Sequence, residues 1–261
     1  MIVVKFGGHA MKDENGNFAR AISAVLGTGE KVVVVHGGGP QIDAALKARH
    51  IVSDWIGGFR VTTQEIFDVV EDVLVNQVGQ EVAATLSASG IKARAISARQ
   101  LPTVIAKRRT TLIDGTPADL GYVGEVHAVD PGQLLELLND GVVPVVAPVS
   151  SDQDLKTGLN VNADFAAAAI AAALGASALI VMTDVAGIYR NWPDKNSLIN
   201  QISAVELESI KNSFAEGMAP KVQAALDALS FGAKAVRIID GTDPDSFASA
   251  LAGKGGTLVV A

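Results

Sequence analysis

Residues 32–35 are four consecutive valines. β-branched side chains favour extended backbone, and a strand apolar at every position has two faces to bury. Short, mostly apolar runs of the same kind recur at 2–4, 142–146, 179–182 and 236–239. Helical stretches are expected between them, at 17–27, 40–48, 63–87, 164–174 and 221–231. This alternation predicts an α/β fold, a mainly parallel sheet between two helical layers. The length of 261 residues, 49% of them apolar, suits one domain with two lobes on a shared core, about 1–150 and 151–261. The stretch 93–129 reads differently. Strand-like pieces at 104–107, 110–113 and 122–126 are punctuated by Asp114-Gly115 and Gly121, which predicts an antiparallel elaboration on the main sheet.

Composition removes several function classes. A net charge of −7 argues against a general nucleic-acid binder. The absence of cysteine rules out disulfides, thiolate metal sites and a cysteine nucleophile. No run approaches the roughly 20 apolar residues of a membrane span, and Met1 leads straight into a strand-like run without a leader pattern. The expectation is a soluble, cytoplasmic protein with no membrane partner.

Two glycine loops each follow a strand: Lys5-Phe6-Gly7-Gly8-His9-Ala10 and His36-Gly37-Gly38-Gly39-Pro40. Glycines there let backbone N–H groups approach an anion, and Pro40 fits the start of a helix whose N-terminus favours negative charge. A single loop of this kind is an ordinary tight turn. Two loops, with a lysine just before the first, favour anion binding. Neither is a Walker A sequence, and Ile42 stands where a dinucleotide fingerprint needs its last glycine, so a nicotinamide dehydrogenase is disfavoured.

A few charged residues stand out. Lys5 lies in an apolar strand, where a cation needs a partner, a ligand or a route to solvent. Asp164 opens an alanine-rich helix after Asn160-Val161-Asn162-Ala163; it either complements the helix dipole or belongs to a site. Lys221 begins another helix, against the dipole, and is either a solvated lysine or the partner of an anion. Arg60 follows Gly57-Gly58-Phe59 and suits a carboxylate or a surface ion pair. His36 reads as a local hydrogen-bonding residue. Asp152 and Asp154 read as a solvated loop, because nothing nearby completes a metal cage.

Eight segments together resemble the amino acid kinase family in its own order: VVKFGGHAM (3–11), VVHGGGPQI (34–42), GFRVT (58–62), DLGYVGEV (119–126), PVVAP (144–148), NVNAD (160–164), MTDVAGIY (182–189) and GMAPKVQAALDAL (217–229). The resemblance implies a three-layer αβα sandwich with an eight-stranded, mainly parallel sheet. GFRVT and NVNAD are similar to the branch acting on acylated amino acids. That branch transfers the γ-phosphoryl group of ATP, with Mg²⁺ carried on its phosphates, to the γ-carboxylate of N-acetyl-L-glutamate in arginine biosynthesis. By the family pattern, Lys5 and Lys221 neutralise the moving and leaving phosphates and Asp164 holds both lysines. Gly8 and Gly38 donate N–H groups, while Gly7 and Gly37 shape the loops. Gly38, Gly39, Arg60 and Asn160 face the acyl amino acid. Lys5, Gly7, Gly8, Thr183, Asp184, Tyr189, Met218 and Lys221 face the nucleotide. Departures occur at ISARQ (96–100) and at Glu216.

The resemblance leaves rivals: a kinase for carrier-linked aminoadipate or glutamate docking on Lys107-Arg108-Arg109, and a non-catalytic amino-acid or nucleotide sensor. The family's arginine-inhibited hexamers carry a helix before the first strand, and this sequence begins at that strand. The expectation is therefore a homodimer without strong arginine feedback. Gel filtration should give a mass near two chains, and a mass near six would contradict it.

Overall fold

The computed structural model describes residues 1–7, 16–214, 218–243 and 245–261. The apolar runs become the strands β1 (Ile2–Phe6), β2 (Val32–His36), β8 (Val143–Ala147), β11 (Ala178–Thr183) and β13 (Ala235–Asp240). With β5 (Ala93–Ser97), β12 (Gln201–Ser203) and β14 (Thr257–Val260) they form one eight-stranded sheet, ordered β12-β14-β13-β11-β1-β2-β8-β5. Every pairing is parallel except β13 with β14.

The continuous apolar strands are apolar because both faces are covered. Alternate residues feed two separate cores. Val3, Val33, Val35, Val146, Leu179 and Val181 point to one. Val4, Val32, Val34, Val145, Ile180 and Met182 point to the other. The first face is covered by α5 (Gly132–Asn139), α6 (Ala163–Ala173), α7 (Ala204–Ile210) and α8 (Ala219–Ser230). The second is covered by α1 (Asn17–Gly27), α2 (Gly39–Ala48), α3 (Gln64–Glu71), α4 (Gly79–Ala88) and α9 (Ser246–Leu251). This is the expected three-layer sandwich.

Two expectations change. The stretch 63–87 is not one regular helix, because a π-helical turn, Asp72–Val78, separates α3 from α4. Its wider turn ends with the Gly79 N–H donating to the Leu74 carbonyl, five residues back, and Asn76 and Gln77 both donate to the Asp72 carboxylate at 3.1 Å. Of the middle stretch only β5 joins the main sheet. Strand β5 is its parallel edge, whereas β6 (Val104–Arg108), β7 (Val123–Val129), β9 (Val149–Ser151) and β10 (Gly158–Val161) close into a separate four-stranded barrel. Residues 110–113 form no strand; Thr111 makes only an isolated bridge to Pro117. The barrel packs Val104, Ala106, Val123, Leu159 and Val161 into the first core, which compensates for leaving the sheet.

The π turn touches the second glycine loop. A side chain on Gly38 would meet Leu74 Cδ2 at 2.5 Å, and one on Gly79 would meet His36 Nε2 at 3.0 Å and the Leu74 carbonyl at 3.1 Å. Gly79 is thus retained inside a helix by packing. Helix propensity alone favours alanine there by about 1 kcal/mol, yet Gly79→Ala should lower the melting temperature. Gly27→Ala, at the end of α1 with nothing within 4 Å of the added methyl, should raise it. A raised melting temperature for Gly79→Ala would refute the packing argument.

Candidate active site

The carboxyl ends of β1 and β2 lie side by side, pairing from Ile2↔Val32 to Phe6↔His36. Their glycine loops are therefore adjacent. The Gly37 N–H donates to the Phe6 carbonyl at 2.8 Å, and a side chain on Gly7 would meet Lys5 Nζ at 3.0 Å and the Gly37 nitrogen at 3.4 Å. Only glycine lets the loops lie this close. Gly38 caps α2 and Gly39 begins it, so their N–H groups belong to the set a helix leaves without internal partners. Gly8 lies outside the described residues, as do Glu216 and the rest of 215–217.

Helix α6 enters the same place. Asn162 is its N-cap, its Oδ1 accepting from the N–H groups of Asp164 at 2.8 Å and Phe165 at 3.4 Å. The cap fixes Asp164 in the first turn, buried, where one oxygen lies 3.2 Å from Lys5 Nζ and the other 3.4 Å from Lys221 Nζ. Lys221 reaches it from the first turn of α8, which packs on α6 through a stripe of buried alanines. The cation that opposes its own helix dipole is thereby matched by a carboxylate.

The electrostatics follow from burial. Desolvation pushes the Lys5 ammonium below its ordinary value; neighbouring Asp164 works against that shift and Lys221 adds to it. Desolvation also pushes the Asp164 carboxyl up, but Lys5 and Lys221 together outweigh it and hold the group below the usual carboxylate range. The trio is a lysine–aspartate–lysine arrangement with one cation in excess, which fits an anionic ligand.

A cavity of about 170 Å³ opens beside the trio and is lined by Lys5, Gly37, Gly38, Gly39, Arg60, Asn160 and Asp164, with Trp55 and Leu74 on its walls. Arg60 ends a short hairpin, β3 (Trp55–Ile56) with β4 (Phe59–Arg60). Its guanidinium is buried, donates to Asp43 Oδ1 and Ser53 Oγ at 2.7 Å each, and lies 4.5 Å over the Trp55 ring. Of the sequence alternatives for Arg60, the ion pair is present, and the residue also lines the cavity. Asn160 Nδ2 donates to Thr62 Oγ1 at 3.1 Å. A concavity of about 550 Å³ between β7, α6 and α8 is larger but contains none of these residues; size does not mark the chemistry here.

The nucleotide candidates are more scattered. Thr183 ends β11, is buried, and its hydroxyl bonds the Asp184 carboxylate at 3.1 Å. Asp184 is near enough to oppose, weakly, the lowering of the Lys5 pKa by burial. Met218 caps α8 through its carbonyl, which accepts from Lys221 N–H at 3.0 Å. Tyr189 stands apart, its ring edge-on to Trp192 at 5.2 Å. Asp43, Ser53, Trp55 and Leu74 were absent from the sequence candidates. Asp43 carried a signal, one turn into the helix that follows the glycine loop; Ser53 carried none. The ISARQ departure is structurally satisfied, since Ser97 Oγ accepts from the N–H groups of Arg99 and Gln100, and Arg99 pairs with Glu71 at 2.8 Å.

Other candidates resolve as ordinary structure. Asp152 accepts from the N–H groups of Lys156 and Thr157 in its own loop, and among the described residues no three His, Asp or Glu side chains cluster as a metal site. The basic run is occupied: Lys107 and Arg109 pair with Glu125, and Arg108 lies over Tyr122. No helix among the described residues is long and apolar enough to cross a membrane.

Comparison with known proteins shows the family. The model of the amino acid kinase family matches residues 1–240. An acetylglutamate kinase of Streptomyces clavuligerus is 46% identical over 247 residues, covering 94% of this chain and 82% of the relative. The solved structure of smu.665 from Streptococcus mutans UA159 superposes with a TM-score of 0.83 at 27% identity, covering 99% of this chain and 98% of that one. An N-acetylglutamate synthase from Neisseria gonorrhoeae, complexed with coenzyme A and N-acetyl-glutamate, shares the fold at a TM-score of 0.84 and 24% identity; it matches 100% of this chain and 59% of its own.

His36 offers a test of site integrity. Burial lowers its pKa to about 4, against a small opposing effect from the Gly37 carbonyl, which lies 2.8 Å from Nδ1. Its folded value lies below the unfolded 6.5, so the folded chain binds fewer protons and acid favours unfolding. The stabilisation is complete above pH 6.5 and drains away towards pH 4. A shift of this size corresponds to about 3 kcal/mol. Denaturant melts across that window should show the loss, and His36→Gln should flatten it; an unchanged slope would exclude His36 as its source.

Proposed function

The chain belongs to the amino acid kinase family, and from that premise we propose that Lys5, Asp164 and Lys221 are the catalytic core of its kinase reaction. It is an enzyme, a kinase that phosphorylates the γ-carboxylate of N-acetyl-L-glutamate with ATP, giving N-acetyl-L-glutamyl 5-phosphate in arginine biosynthesis. The observation that carries the site assignment is the buried Asp164 carboxylate between two ammonium groups, at the wall of the cavity where the second glycine loop ends.

Phosphoryl transfer between two anions needs positioning and charge neutralisation, with no protein nucleophile. A γ-carboxylate oxygen attacks the γ-phosphorus as the bond to the β-phosphate oxygen breaks, and ADP leaves. The acceptor is already deprotonated, so no general base is required. Lys5 meets the transferring group, reaching it from the strand beneath the glycine loops. Lys221 meets the departing β-phosphate from the opposite side. Asp164 keeps both ammonium groups in place. Gly38 and Gly39, with Gly8 from the other loop, present N–H groups to the moving phosphoryl and the substrate. Arg60 clamps the α-carboxylate and Asn160 orients the acylated amino group. Thr183, Asp184, Tyr189 and Met218 border the nucleotide, Tyr189 with the weakest geometric support. Mg²⁺ neutralises phosphate charge and is carried by the ATP phosphates. The N-terminal half therefore holds the acyl amino acid and the C-terminal half the nucleotide.

The carrier-linked alternative is disfavoured by the acetylglutamate kinase relatives, and two of the three basic residues it would use already pair with Glu125. A sensor role is disfavoured by the intact lysine–aspartate–lysine trio. The test is ATP-dependent acyl phosphate formation trapped with hydroxylamine. N-acetyl-L-glutamate should greatly outperform glutamate, aspartate and N-acetylaminoadipate. Lys5→Ala and Lys221→Ala should each lower kcat roughly 10²-fold or more. Near-normal kcat in both variants would sink the mechanism.

A further inference from the structure

An arginine that clamps a carboxylate has to be aimed, and the sequence places Arg60 on a two-residue strand at the end of a hairpin. Such a strand offers little rigidity of its own. The guanidinium is nonetheless buried, with 5% of its side chain exposed, so a single orientation is imposed from outside the hairpin. Three groups impose it: the Asp43 carboxylate, the Ser53 hydroxyl and the Trp55 ring.

Their placement is informative. Arg60 and Trp55 line the cavity, but Asp43 and Ser53 are not among its lining residues. Their two bonds, to Nη2 and Nη1, are therefore made to groups that do not border the ligand space. A guanidinium has five N–H donors. Two are used in this way, which leaves three for a ligand carboxylate. Asp43 is itself 59% exposed, so its charge costs little to hold there. It stands on α2, one turn beyond Gly39, so the helix that presents the second glycine loop also carries the group that orients the arginine.

We infer that Asp43 is a positioning residue for the reaction: its ion pair holds Arg60 with the remaining N–H donors turned towards the α-carboxylate of the acyl amino acid. This rests on the reading of Arg60 as the substrate clamp. The converse arrangement has Asp43 occupying Arg60 in place of substrate and yielding when substrate arrives. The two make opposite predictions, because removing a competitor lowers KM and removing a support raises it.

The experiment compares steady-state kinetics of the full chain with Asp43→Asn, Asp43→Ala, Asp43→Glu, Arg60→Ala and the double variant Asp43→Ala/Arg60→Ala. Asp43→Asn and Asp43→Ala should raise KM for N-acetyl-L-glutamate about tenfold, the worth of one charge-assisted hydrogen bond. Their kcat and KM for ATP should stay within about twofold, since uniform binding is what is lost. Asp43→Glu should recover most of the affinity. The double variant should be no weaker than Arg60→Ala alone, because a residue acting only through Arg60 has nothing left to orient. A fall in KM on removing Asp43, or additive losses in the double variant, would overturn the inference. An unchanged KM in Arg60→Ala would fail differently, removing the clamp itself and the inference with it. Melting temperatures of the Asp43 variants near that of the parent keep the reading independent of folding.

Discussion

One buried carboxylate faces two ammonium groups, and this imbalance organises the molecule's centre. Asp164 cannot neutralise both Lys5 and Lys221, and neither lysine sits where water can compensate fully. Burying unmatched charge is costly, so the fold holds open a deficit that an anionic ligand closes. The three residues come from distant parts of the chain: the sheet's inner strand β1, the start of α6, and the start of α8. Helices α6 and α8, both rich in buried alanines, pack on each other, and their first turns bring Asp164 and Lys221 together.

The fold was legible in the sequence where a single periodicity dominated. Four consecutive valines can only be an interior strand, and 17–27 matches α1 at both ends. Short elements were not legible. Helix α5 shows only Leu134 and Leu138 buried, and α9 only Phe247 and Ala250, too few apolar positions to define a face. Helix α7 did carry a signal, the Ser203…Glu206 spacing of a capping box, with Ser203 Oγ accepting from Glu206 N–H at 3.1 Å. The π turn was invisible because its apolar residues, Val73, Leu74, Val75 and Val78, read equally well as an α-helical face. The small barrel was mistaken for part of the main sheet because hairpin signals say which strands are short and say nothing of which sheet they join.

Site residues divided along the same line. Lys5 and Lys221 each break a local rule, a charge in an apolar strand and a cation at a helix N-terminus, whereas Asp164, a carboxylate in a helix's first turn, obeys its own and was marked by the asparagines before it. Such violations can be read without coordinates. Arg60 was noticed for its neighbours; of the groups behind it, Asp43 carried only its position one turn into α2 and Ser53 carried nothing, so their contact with Arg60 emerges when α2 and the hairpin are brought together. The residues proposed for the chemistry were conspicuous, and those that support them were ordinary.

The sheet order has a mechanical consequence. Strand β1, from the half that carries the glycine loops, pairs directly with β11, from the half that carries Thr183 and Asp184, through Ile2↔Ala178 to Lys5↔Val181. The two halves are thus joined by a row of backbone hydrogen bonds in place of a linker. Any motion between them has no swivel to turn on and is resisted by the strand pairing itself. Such a joint behaves as a spring: the bonds that resist twisting also restore the resting shape once the load is gone. Lys5, at the end of that seam, rides on the spring.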